Sequence, residues 1–306
     1  MGRNKLLVTF FIFSITYIGL TFGISPDAAA QAKYNLDNTE IQILRLTLVL
    51  PIILIWALAF YGYAKFRDYA LTVKDSKEGE GWLNLVRGLL GLALWLPLTS
   101  IIGSIGSYIY HKNPGLTETV IITMNYINLI IVLAAFVFLY KGARRLVGSV
   151  KTPAPATLAA ESMVLLAALS GLFAYLTLSS PNKTVPVDEV TPAAYYLPDW
   201  LLVTTIVIPY IIVFYLGFKV VQHIHSYRKK VQGSIYKEAL RYLGAGIGVA
   251  VISLMSLRYL TSVTSVFNDS ALRTVLLLLY LLIFLIAAGY ILIALGAKRL
   301  QKLEEV

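Results

Sequence analysis

Cysteine is absent from the 306 residues, and charge is scarce, at 14% of the chain. The first absence excludes disulfides, thiolate catalysis and cysteine-ligated metals. The second sets the chain apart from soluble domains, in which about a quarter of residues are charged. With 58% apolar residues and a mean hydropathy of +0.74, the chain belongs in a bilayer.

Histidine is nearly as rare. His223 and His225 are two apart, which puts them on different sides of a helix, and His111 is expected on the other side of the membrane. Neither a haem pair nor a zinc site follows, so no metal and no cofactor are expected. The sequence holds no glycine-rich phosphate loop, no nucleophile elbow and no paired intramembrane carboxylate. The last apolar run, Leu272 to Ala297, lacks the lysine that a retinal Schiff base needs. An enzyme is therefore not the expected class.

The net charge of +10 does not indicate nucleic acid, because the basic residues sit in short segments between apolar runs and not on a soluble surface. They serve topology and contact with anionic headgroups. The partners expected are the lipid bilayer, anionic lipids at the basic cytoplasmic loops, and further copies of the chain or other subunits of a membrane complex.

What is abundant is apolar sequence, in runs of about 20 residues, the length of helix that crosses a hydrocarbon core of about 30 Å. The first run, Leu6 to Phe22, follows Arg3 and Lys5 and precedes the small residues Ala28, Ala30 and Ala32. Residues 1–32 thus read as a signal peptide or a signal anchor. Seven further spans follow: Ile41 to Ala64, Trp82 to Tyr108, Glu118 to Tyr140, Thr157 to Ser179, Trp200 to Val221, Tyr242 to Ser265 and Leu272 to Ala297. From Lys33 onward, 18 Lys and Arg fall in or beside expected cytoplasmic segments and 5 in or beside external ones. The positive-inside bias places the chain in the plasma membrane with the mature N-terminus outside and the C-terminus in the cytoplasm.

The chain also resembles itself. Val49-Leu50-Pro51-Ile52-Ile53 matches Val207-Ile208-Pro209-Tyr210-Ile211. Tyr69 and Tyr227 follow the two prolines at equal distance, Arg87 and Arg241 open the next spans, Asn113 and Asn268 mark the external turns, and Gly142-Ala143-Arg144-Arg145-Leu146 matches Gly296-Ala297-Lys298-Arg299-Leu300. Two three-span units can point the same way only if an odd number of spans separates them. The expected fold is an all-α integral membrane protein with seven transmembrane helices in a parallel 3+1+3 repeat. Residues 41–150 form the first three-helix unit, 151–180 the linker helix, 181–199 an external loop and 200–306 the second unit. A pseudo-twofold axis along the membrane normal is implied.

In this arrangement the chain resembles the SWEET sugar transporters, which also join two triple-helix units through a linker helix and place the N-terminus outside. Pro51, Pro97 and Pro209 stand where that family carries prolines. The second helix of the second unit departs from the pattern, with Gly244, Gly246 and Gly248 and no proline. The resemblance implies a site near the axis and assigns no residues.

Polar groups inside a bilayer are costly and are the first candidates for function. Arg258 lies about ten residues, hence roughly 15 Å, below its external turn. Asn125 and Asn128 share a helix face at comparable depth, and Tyr280 matches them in the last span. These four form the candidate ligand or packing site. Pro51 and Pro209, at equivalent places in the two units, are candidate hinges. Two functions are compatible with this pattern: a transporter or channel for a small polar solute with its site on the axis, or a non-transporting scaffold, sensor or subunit of an envelope complex.

Overall fold

The structure, a computed structural model, describes residues 3–23, 38–112, 117–148, 208–263 and 269–301. Within them lie seven α-helices and no strand: α1 (Arg3–Gly23), α2 (Asn38–Thr72), α3 (Gly79–Lys112), α4 (Thr117–Gly148), α5 (Ile208–Lys230), α6 (Ser234–Val263) and α7 (Asp269–Gln301). Six of them are long and apolar enough to cross a membrane. The chain is a multi-pass helical membrane protein. The expected linker helix Thr157 to Ser179, the loop Pro181 to Pro198 and the small residues Ala28 to Ala32 lie outside the described residues.

Four helices run well past the spans expected from hydropathy. α2 continues from Ala64 to Thr72, α4 from Tyr140 to Gly148, α5 from Val221 to Lys230 and α7 from Ala297 to Gln301. These last turns are amphipathic. Phe66, Tyr69, Leu146, Ile224, Tyr227 and Leu300 are buried, while basic neighbours such as Lys141, Arg144 and Lys229 are exposed. Hydropathy ends at the first charges, but the helix goes on while one face still has something to pack against.

All these extensions lie at one end of the bundle, here called the basic end. There α2 and α3 are joined through a tight turn in which the Ser76 amide bonds to the Val73 carbonyl at 3.0 Å and the Gly79 amide to the Ser76 carbonyl at 3.0 Å. α5 and α6 are joined through Gly233, whose φ of 93° is left-handed and suits glycine.

α2 packs on α3, α3 on α4, α4 on α5, α5 on α6, α6 on α7, and α7 returns to α2, so the six helices close a ring, with α1 outside against α2 and α3. The most extensive interfaces are α3 with α4 and α6 with α7. Both rest on glycine. A methyl at Gly88 would stand 2.8 Å from the Ala135 carbonyl oxygen and 2.5 Å from Leu139. One at Gly246 would stand 2.6 Å from the Gly289 carbonyl oxygen and 2.7 Å from Ile293. Nearer the basic end Gly142 abuts the Gly81 carbonyl and the Leu85 amide, and Gly296 abuts the Ala239 carbonyl and the Leu243 amide. Small residues that let backbones approach are the usual means of helix association where lipid removes the hydrophobic drive.

Inside the ring the packing is dry on the side of the basic end. Trp56, Leu85, Leu89, Leu92, Phe136, Leu139, Ile247, Tyr290 and Ile293 are all buried. The Tyr290 hydroxyl donates to the Leu92 carbonyl at 3.0 Å, bringing α7 against α3 as well. Pro51 lies inside α2 and Pro209 in the first described turn of α5.

Candidate functional site at the basic end

The four residues singled out from sequence do not meet among the described side chains. Asn128 of α4 accepts a hydrogen bond from the Thr99 hydroxyl of α3 at 2.9 Å. Tyr280 of α7 donates to the Thr47 hydroxyl of α2 at 2.7 Å. These are two separate helix interfaces, one between α3 and α4 and the other between α2 and α7. Arg258 and Asn125 belong to α6 and α4, and their side chains lie outside the described set.

The polar constellation that the structure does assemble sits at the basic end, where the turns after α2 and α5 converge. Tyr236, two residues into α6, is its centre. Its hydroxyl lies 3.2 Å from that of Tyr227 and 3.5 Å from that of Tyr69, which donates to it. It also reaches Oε2 of Glu78 at 3.4 Å. Tyr227 is fully buried, and Tyr69 nearly so. Trp82, at the start of α3, forms the floor: its ring meets Tyr69 edge-on at 5.1 Å, Tyr236 at 6.2 Å and stacks on Phe66 at 6.4 Å.

Tyr69, Glu78 and Trp82 each join Tyr236 of α6 to α2, to α3 or to their turn, while the Tyr227 hydroxyl joins it to α5 and the Trp82 contacts with Tyr69 and Phe66 hold α3 to α2. The oxygen separations lie at or beyond the long limit for such bonds, so each contributes weakly, and the aromatic packing carries most of the contact. Burial, chiefly, and then the neighbouring Tyr227 push the Tyr236 phenol above its ordinary range. It is therefore a neutral hydroxyl that both donates and accepts. The indole N–H of Trp82 is buried and has no hydrogen-bond partner among the described residues.

Two ion pairs flank the cluster. Arg145 at the end of α4 pairs with Glu80 at the start of α3, and Arg299 at the end of α7 pairs with Glu238 at the start of α6 at 3.4 Å. Tyr242 donates to the same Glu238 at 3.2 Å. The histidines lie apart from the cluster and from each other's partners: His223 stacks on Tyr140 of α4 with centroids 5.5 Å apart, and His225 is exposed.

Comparison with family models, with curated proteins and with solved structures yields no match. Function has to be argued from these contacts.

Sequence reasoning marked Tyr69 and Tyr227 as repeat positions without seeing that they share a partner. Tyr236 and Glu78 carried no signal, since one lies just inside a helix and the other in a turn, and they are unlike in chemistry.

Proposed function

We propose that the chain is a tandem duplication of a three-helix unit, with its basic end in the cytoplasm, that carries a small polar solute through the opposite half of the bundle. The duplication is supported by contacts that recur at a fixed register. Pro51 and Pro209, Tyr69 and Tyr227, Glu80 and Glu238, Leu85 and Leu243, and Gly88 and Gly246 all have one separation along the chain. Their partners on the third helices, Ala135 and Gly289, Leu139 and Ile293, Gly142 and Gly296, and Arg145 and Arg299, share a separation four residues shorter. Both the glycine contacts and the ion pairs thus have counterparts in the other unit. The four-residue difference falls between Gly88 and Ala135 in the first unit and between Gly246 and Gly289 in the second. Arg87 then corresponds to Ala245 and not to Arg241, which replaces the match expected from sequence.

In this register Glu78 corresponds to Tyr236, so the tyrosine cluster is built from two matched pairs, Tyr69 with Tyr227 and Glu78 with Tyr236. It straddles the axis. The single observation that carries the transport reading is this closure: the two units are held together at the basic end by hydroxyls and rings over a dry interior, while the polar pairs Thr99–Asn128 and Thr47–Tyr280 lie toward the other end. Two glycine-tight helix pairs around one axis are elements that can rock about a site. The 3+1+3 order expected from the sequence, in which the chain resembles the SWEET transporters, points the same way.

The native absence of cysteine makes the test direct. Thr99→Cys should react with a membrane-impermeant thiol reagent added outside intact cells, and Leu92→Cys, beside the dry interior, should not. A Thr99→Cys side chain that stays unreactive from both sides would remove the water path that transport needs. It would favour the second reading, a non-transporting scaffold or complex subunit, for which the dry glycine packing is the supporting observation. Arg258→Leu separates the two further, since a folded variant that keeps its cellular task argues against a ligand role for the charge.

A further inference from the structure

One face of α4 is patterned like a lipid. Tyr126, Ile130, Ala134 and Val137 follow one another at helical spacing and then give way to Lys141, Arg144 and Gly148 on the same face. Ile130 is 65% exposed, and Ala134, Lys141 and Arg144 are exposed as well. At the basic end this face opens into a lateral cavity of about 610 Å³ lined by Val137, Tyr140, Lys141, Arg144, Arg145 and Gly148.

The cavity is positive. Arg145 is already paired with Glu80, whereas neither Lys141 nor Arg144 has a carboxylate partner among the described residues. On the α5 side Tyr140 stacks on His223, and the charged groups that face His223 are Lys219 and Arg144, both cations. Uncompensated cations at the edge of a bilayer, beside an apolar track, call for an anion that carries its own hydrocarbon.

We infer that the α4 face between Tyr126 and Gly148 binds an anionic phospholipid, with the phosphate held by Lys141 and Arg144 and an acyl chain lying along Val137, Ala134, Ile130 and Tyr126. The eleven steps from Tyr126 to Val137 span roughly 16 Å at 1.5 Å per residue, close to half of the ~30 Å hydrocarbon core. One leaflet's chain therefore fits the track. This site depends on the chain spanning a membrane and is independent of whether it transports a solute.

The test uses the full chain purified in a neutral detergent, with thermal unfolding followed in the presence of phosphatidylglycerol, phosphatidylcholine or inorganic phosphate. Phosphatidylglycerol should raise the midpoint, phosphatidylcholine and phosphate should not, and K141Q/R144Q should weaken the apparent affinity at least tenfold. The control K74Q/K77Q removes two cations from the α2–α3 turn at the same end and should leave the effect intact. Equal loss in both variants would reduce the effect to diffuse attraction. An equal effect of inorganic phosphate would mean an anion site without a tail. Each of these results overturns the inference. Should K141Q/R144Q fail to fold, a photoactivatable phosphatidylglycerol added to the unaltered protein should label peptides of residues 126–148, and labelling confined elsewhere would refute the site.

Discussion

Alanine at Gly246 and at Gly88 offers the sharpest test of how the helix pairs are built. At Gly246 the new methyl would lie 2.6 Å from the Gly289 carbonyl oxygen and 2.9 Å from the Ile293 amide nitrogen, both backbone atoms that cannot rotate away. α6 and α7 would have to separate by several tenths of an ångström along their closest approach. Overpacking of this kind costs about 1–3 kcal/mol, and the better helix propensity of alanine returns about 1 kcal/mol. The expected net loss is up to about 2 kcal/mol. Gly88→Ala meets the Ala135 carbonyl at 2.8 Å and should cost a similar amount, since both methyls would run into a backbone carbonyl of the neighbouring helix. Gly248→Ala is the control: its nearest neighbour is a Val221 methyl at 3.6 Å, an ordinary contact, so this variant should gain up to about 1 kcal/mol. Denaturant unfolding in mixed micelles, read by tryptophan fluorescence, measures all three on one scale. If Gly246→Ala proves as stable as Gly248→Ala, the helices do not approach as described. If Gly88→Ala and Gly246→Ala diverge widely, the assigned correspondence of the two units is wrong.

Three further outcomes follow. Double-mutant cycles on Glu80–Arg145 and Glu238–Arg299 should give small and similar coupling energies, between about 0 and 1 kcal/mol, because all four side chains remain at least partly exposed; a strong coupling in one alone would break their equivalence. Tyr236→Phe removes the hydroxyl shared by Tyr69, Tyr227 and Glu78 and should cost about 1 kcal/mol. Because the folded-state phenol is raised above the ordinary value of 10.0, its contribution is intact below that pH and is lost as pH rises further. The variant should therefore lose less stability than the parent between neutral pH and strongly alkaline conditions, and an identical alkaline slope would refute the assignment. A reporter fused after Val306 should be active only in the cytoplasm, and cysteines placed in Pro181 to Pro198 should be labelled from outside; the reverse of either would invert the topology.

Hydropathy alone was enough to find the seven described helices, because a bilayer demands long apolar runs and the runs are there. It was not enough to find their ends. Tyr69, Leu146 and Tyr227 continue buried faces beyond the first charges, and a window average cannot separate a solvated face from a packed one. The proposed kinship of the two units rests, in the sequence, on Pro51/Pro209 and on the shared Gly-Ala-basic-basic-Leu exits. The place of the four-residue gap was not visible there, because Arg87 and Arg241 match only in residue type, whereas Gly88 and Gly246 match in what they touch on a second helix. The candidate site was legible least. Asn128 and Tyr280 were singled out by depth, and each is satisfied by a hydroxyl, Thr99 and Thr47, that depth does not reveal. The meeting of Tyr69 and Tyr227 on Tyr236 depends on two turns, and turns of this kind leave little periodic trace.

The ring has a consequence for how such a chain came to exist. α2 leans on α7 as well as on its own neighbour α3, and α5 leans on α4 as well as on α6, so each unit covers the flank of the other's first helix. A unit cut out by itself would present that flank bare, together with the third-helix surface that fits it. Two identical copies would then satisfy one another with the same pair of interfaces. Under the proposed duplication the chain would have the interior of a symmetric homodimer, and separately expressed halves should find each other in the membrane before either is stable alone.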